Sequence, residues 1–204
     1  MRQIPLPLGT AREADRIVLG ASLQPVLDAL AAPAGWPFGT ALLTGPPRSG
    51  KSLLARWFAA SHSGAEVIDP ADALAEDALF HRWNRAQADA QPLLLVSGRV
   101  PGAWQIALPD LRSRLGAALH IEIPAPDDEL LAGLIEEHAS RRGLTLGPDV
   151  LAYILPRIER SHAETEALVE TIDRLSLERK ASVTISLARD ALADRGGEWQ
   201  PRLL

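Results

Sequence analysis

The chain has 204 residues, 47% of them hydrophobic and 23% charged, with a formal charge of -5 and no cysteine. That size suits one globular domain with a small appendage, and the lack of cysteine excludes disulfides, thiolate metal sites and a cysteine nucleophile. No apolar run approaches the ~20 residues of a membrane span and no signal-peptide core opens the chain, so a cytoplasmic protein without a membrane partner is expected. Net acidity also argues against broad binding to a phosphate backbone.

The first residues are rich in proline, which cannot donate a backbone hydrogen bond, so an extended tail is expected over 1–10. Leu23, Val26, Leu27 and Leu30 have helical spacing and predict a helix over 22–31. Thr40-Ala41-Leu42-Leu43-Thr44 reads as a short buried strand, and a helix begins at Lys51 after a glycine- and proline-rich turn. Val67-Ile68-Asp69 is a second strand, 76–88 a helix with Leu79, Phe80 and Trp83, and 93–97 an apolar run typical of a strand buried on both faces. Between the helix from Lys51 and the strand at Leu93 there is room for only one strand, where a full core of this type would hold two. Arg114 is expected in a loop before a last strand over 119–123. Strands alternating with helices predict an α/β domain over 11–124, with a parallel sheet covered on both faces.

After Pro124-Ala125-Pro126 the pattern becomes wholly helical. Asp127 and Asp128 open a helix to Arg142, with their charges favourable at its N-terminus. Pro148 starts another, to about Ile158. Ser161 and Glu164 have capping-box spacing before a long helix carrying Leu168, Ile172 and Leu175. A last helix is expected over 187–194, which makes 125–195 a small helical domain and 196–204 a loose end.

Gly45-Pro46-Pro47-Arg48-Ser49-Gly50-Lys51-Ser52 matches G-x-x-x-x-G-K-[ST] between a strand and a helix. Such a loop turns backbone N–H groups toward phosphate oxygens, and the helix N-terminus adds donors that extend to Leu53. Lys51 is expected on the β/γ-phosphates of ADP or ATP, and the Ser52 hydroxyl on Mg²⁺. A hydrolase of this type also needs an acidic strand end. Asp69 is the candidate second Mg²⁺ ligand, but Pro70 follows it and cannot act as a base. Nucleotide binding with weak or no hydrolysis is the natural expectation.

Several segments resemble AAA+ ATPases of the DnaA type and, within them, the Hda regulators in their alphaproteobacterial form. They are Leu79-Phe80-His81-Arg82-Trp83-Asn84, Leu93-Leu94-Leu95-Val96-Ser97, Leu108-Pro109-Asp110-Leu111-Arg112-Ser113-Arg114-Leu115 and Arg157-Ile158-Glu159-Arg160-Ser161. The N-terminal Gln3-Ile4-Pro5-Leu6-Pro7-Leu8 is similar to the peptide by which that family docks on the DNA polymerase III sliding clamp. A proline-stiffened peptide loses little entropy on docking, and Ile4, Leu6, Pro7 and Leu8 would fill apolar pockets while Gln3 supplies hydrogen bonds.

The resemblance implies an AAA+ sheet reduced by one strand and followed by a helical lid. It implies that Arg114 is an arginine finger offered in trans, that Ser97 is a sensor at its strand end, and that Arg160 substitutes in the lid. The family's second-sensor arginine falls on Glu166, which would repel phosphate. The function implied is inactivation of the replication initiator DnaA: a nucleotide-bound protein docks on the clamp, stimulates hydrolysis of DnaA-bound ATP and limits re-initiation. DnaA and the clamp are the implied partners, with DNA reached only through the clamp. The alternatives are a self-contained phosphate-loop ATPase or kinase, and a nucleotide-gated adaptor.

Overall fold

The computed structural model describes residues 17–99 and 102–195. They fall into two compact units, one built on Leu23–Pro124, the other on Val18–Ser22 and the chain from Ala125 onward. The expected clamp-binding tail and the last residues, 196–204, lie outside the described residues.

In the first unit β1 (Thr40–Thr44), β2 (Glu66–Ile68), β3 (Leu93–Val96) and β4 (Leu119–Glu122) form one parallel sheet in the order β2-β3-β1-β4. The two central strands, β1 and β3, are buried along their whole length, which is why they read as unbroken apolar runs. The edge strand β4 buries Ile121 while Glu122 stays exposed. A single strand lies between β1 and β3 in sequence, as the short spacing there implies.

Helices α1 (Gln24–Ala31), α2 (Lys51–Ser61) and α3 (Glu76–Ala88) fall where periodicity places them. Successive strand residues point to opposite faces, so Leu93 and Leu95 share a face with Leu42. That face packs against Leu79 and Trp83 of α3 and against Leu111 and Leu115. Elsewhere in the unit Phe58 of α2 is fully buried and stacks on Trp36 at 5.1 Å.

Leu111 and Leu115 belong to a helix, α4 (Pro109–Ala117), which corrects the expectation of a loop before β4. Pro109 stands at the first helical position, where its missing N–H costs nothing, and Asp110 lies in the first turn. The leucine pair, four residues apart, buries one face. A helix this short gives only that one repeat, too little to register as periodicity.

The second unit holds α5 (Asp128–Arg141), α6 (Pro148–Ile154), α7 (His162–Arg179) and α8 (Ile185–Arg195) around Leu131, Ile135, Ile154, Leu168, Ile172 and Leu187. Asp127 caps α5, accepting from Leu130 N–H at 2.7 Å, and also accepts from Ser22 N–H at 2.6 Å. The Leu130 bond, ahead of the Ser22 bonds, holds this carboxyl below its usual range despite some desolvation. The same contact explains why Val18–Ser22 belongs with the helices: a Cβ on Gly20 would stand 2.6 Å from the Leu130 Cβ. Ser161 caps α7 through Glu164 N–H at 3.0 Å, as the spacing predicts. Helix α6 stops at Ile154, short of the expected 158, because Pro156 cannot donate.

Candidate functional site

Because all four strands run parallel, their C-terminal ends share one edge of the sheet, where open α/β sheets bind ligands. Gly45 follows β1, Asp69 follows β2 and Ser97 follows β3, so the sheet itself gathers these residues.

The loop after β1 needs backbone conformations that ordinary residues avoid. Gly50 has φ +83° and caps α2 in the left-handed region, and Arg48 has φ +64°. Gly45 is also packed closely, since a Cβ there would lie 2.9 Å from the Ile123 Cβ and 3.1 Å from Ser49 Oγ. Inside the loop the Lys51 ammonium donates to the carbonyls of Gly45 (2.9 Å) and Pro46 (2.7 Å). Desolvation lowers the Lys51 pKa, opposed by the nearby charges of Asp69 and Asp72. Ser49 Oγ is buried with no hydrogen-bond partner. A curled lysine, an orphaned hydroxyl and a helix N-terminus together fit an anion of phosphate size. Pro46 and Pro47 are exposed, as is Ser52 in the first turn of α2, and Leu53 is half-buried behind it.

The acidic side of the site is thin. Asp69 is exposed at the end of β2, followed by Pro70 in a cis peptide bond. Among the described residues no group of three or more His, Asp or Glu side chains could hold a metal ion. Asp72 is 14% exposed and pairs with Arg99 at 3.5 Å. Ser97 is fully buried and spends its hydroxyl on its own turn, accepting from Arg99 N–H at 2.9 Å and donating to Arg99 O at 3.1 Å.

Arg114 lies in the last turn of α4, half-buried. Its guanidinium carbon sits 4.3 Å from the ring centroids of both Phe80 and Trp83, and the group donates to Asn84 Oδ1 at 2.5 Å. Phe80, Trp83 and Asn84 occupy positions i, i+3 and i+4 of α3, so one helical face presents two rings and an amide. That spacing is visible in the sequence, but nothing there says which cation it receives. The approach to α4 is pinned by Glu76, whose carboxylate accepts from Ala107 N–H (2.8 Å) and Leu108 N–H (2.7 Å). Arg112 is exposed and makes a long bond to Ala107 O.

In the helical unit Arg160 precedes the cap of α7 and pairs with Asp128 at 2.7 Å, both side chains more than half exposed. Glu166 lies within α7, where its charge acts on the half-buried His138 of α5. Gln3, Ile4, Leu6, Pro7 and Leu8 lie outside the described residues.

Residues 127–192 match the family described as "Hda, lid domain". The chromosomal replication initiator protein DnaA of Lactobacillus acidophilus is 29% identical over 123 residues, covering 58% of this chain and 26% of the DnaA chain. The chain thus spans about a quarter of that relative's length. Among solved structures, domain III of Thermotoga maritima DnaA superposes with a TM-score of 0.68 over 87% of this chain and 94% of that one, at 14% identity. AMPPCP-bound DnaA from Aquifex aeolicus gives a TM-score of 0.59 over 80% of this chain and 66% of that one, at 19% identity. The parallel sheet with its phosphate loop and following helical unit thus has the fold of DnaA domain III, is similar in sequence to DnaA over 58% of the chain, and carries a helical unit that matches the Hda lid family.

Proposed function

We propose that this protein binds a nucleotide at its own phosphate loop and acts on a second nucleotide, held by DnaA, to inactivate that initiator. The observation that carries this reading is the placement of Arg114. Its guanidinium is oriented by Phe80, Trp83 and Asn84 of α3, not by the phosphate loop of its own chain. A planar cation held at one geometry suits stabilisation of negative charge on a γ-phosphoryl group in a neighbouring active site.

The chain's own site is fitted for binding more than for turnover. The backbone of Gly45 to Leu53 would hold ADP or ATP, with Lys51 leaving the loop carbonyls for phosphate oxygens. Mg²⁺ would neutralise phosphate charge, with Ser52 and Asp69 as its candidate protein ligands. Pro70 denies a base next to Asp69, and the Ser97 hydroxyl is committed to its turn. Docking on the sliding clamp through Gln3, Ile4, Leu6, Pro7 and Leu8 would bring the protein to DNA through the clamp.

The test is ATP hydrolysis by DnaA with loaded clamp and added protein. Arg114→Ala should lower the stimulated rate by ~10³-fold and keep nucleotide and clamp binding, with Arg114→Lys a poor rescue because the fork is lost. Full stimulation by Arg114→Ala would overturn the trans mechanism in favour of an adaptor or a self-contained ATPase. Replacing Gln3, Leu6 and Leu8 by alanine should weaken clamp binding with the melting temperature unchanged. Undiminished clamp binding would remove the tail from the mechanism.

A further inference from the structure

The edge of the sheet that carries the phosphate loop also carries an ion pair that the reading above does not use. Arg99 begins beside the loop: Ser97 N–H donates to Leu43 O at 3.0 Å, and Leu43 lies in β1, the strand that leads into the loop. Two hydrogen bonds with the buried Ser97 hydroxyl then fix the Arg99 backbone. Its side chain turns to Asp72, Nε to Oδ2 at 3.5 Å, a distance of charge attraction rather than of a good hydrogen bond. The partners differ in freedom. Arg99 is 58% exposed and can swing, whereas Asp72 is 14% exposed. Glycine at position 98 leaves no side chain in the way, for a Cβ there would only just reach Asp72 Oδ2, at 3.9 Å. Asp72 follows β2 and so lies at the same C-terminal edge of the parallel sheet as the loop, where its charge acts on Lys51.

We propose that the Asp72–Arg99 pair sets which nucleotide the loop retains: Asp72 holds the arginine off and places a carboxylate where a γ-phosphate would extend. This rests on the reading that the loop binds nucleotide. A diphosphate ends short of the pair and leaves it intact. A triphosphate must draw Arg99 away from its counter-ion and bring like charge toward Asp72, so the gain from an arginine–phosphate contact is offset. Ser97, with its hydroxyl committed, acts as the positioning residue for Arg99 and not as the group that touches phosphate. The site therefore favours ADP through a retained interaction, in addition to any lost sensor.

The experiment is calorimetric titration of the full chain with ADP and with the non-hydrolysable triphosphate AMPPCP, in excess EDTA so that metal ligation by Asp72 does not enter. The isosteric Asp72→Asn should tighten AMPPCP binding ~10-fold, the scale of one released charge-assisted contact, with ADP affinity within about twofold of the parent. Adding Arg99→Ala to that variant should return the ADP-to-AMPPCP ratio to within about threefold of the parent. An unchanged ratio in Asp72→Asn, or a full gain that survives without Arg99, overturns the proposal. Lys51→Ala distinguishes the underlying reading: if it leaves ADP affinity intact, the phosphate-loop assignment itself fails, whatever the ratio does.

Discussion

The phosphate loop and the Arg114 cradle are built in opposite ways. The loop is made by neighbours in sequence: Gly45 and Gly50 supply backbone freedom, and Lys51 bonds carbonyls five and six residues back. The cradle joins residues thirty positions apart, with Asn84 and two rings of α3 holding a guanidinium on α4. A site made of backbone and local spacing leaves a motif in the sequence. A site made of side chains meeting across a fold leaves only residue types.

That difference decides what could be read in advance. The strands at β1, β2, β3 and β4, and the helix α3, were legible because buried apolar runs and 3.6-residue periodicity are local signals. The phosphate loop was legible for the same reason. Helix α4 was not, since Leu111 and Leu115 give one repeat and Pro109 reads equally well as a loop residue. The burial of Asp72 and its pairing with Arg99 come from strand order, with β2 beside β3, and no local pattern encodes that. Val18–Ser22 belongs with the lid for a similar reason: its hydrogen bond to Asp127 spans 105 positions.

The two regions should separate functionally, and the sharpest way to break the comparison is to find them coupled. Lys51→Ala removes the ammonium proposed to contact phosphate and should weaken ADP binding by ~10- to 100-fold. Its effect on the cradle should be nil, so protein saturated with ADP should stimulate DnaA normally. Calorimetric titration and the DnaA hydrolysis assay read the two halves independently. If stimulation stays lost at saturating ADP, the loop and the cradle form one unit.

Within the cradle, Asn84→Ala keeps both rings and deletes one hydrogen bond to the guanidinium. The cation remains stacked between Phe80 and Trp83 but loses its in-plane anchor, so its fork can rotate. Stimulation of DnaA should fall by about tenfold, less than for Arg114→Ala, with ADP affinity unchanged. Asn84→Asp should restore orientation through an ion pair, yet bind the arginine more tightly to its own chain. If Asn84→Ala stimulates fully, the rings alone orient the guanidinium.

The smallest effect is the one that isolates how α4 is pinned. The Glu76 carboxylate accepts N–H groups from Ala107 and Leu108, and those bonds hold its pKa below the ordinary value of 4.5. A carboxyl with a depressed folded pKa contributes stability that is fully present above its unfolded pKa. As pH falls through the folded pKa the carboxylate is protonated and the contribution disappears. The anchoring of residues 107–108 should therefore be constant at neutral pH and weaken only below about pH 4.5. Glu76→Gln retains an acceptor oxygen but no charge, so it should mimic the acid form at every pH. Hydrogen exchange of the Ala107 and Leu108 amides at pH 7 should quicken a few-fold in that variant, with the exchange of β1 and β3 unaffected. The helix should survive because Leu111 and Leu115 still bury its inner face. Stimulation of DnaA should drop less than for Asn84→Ala, since Glu76 acts on the approach to the helix and Asn84 on the arginine itself. Equal exchange in the parent and in Glu76→Gln would mean that the leucine pair alone fixes α4, and that the carboxylate adds nothing to the placement of Arg114.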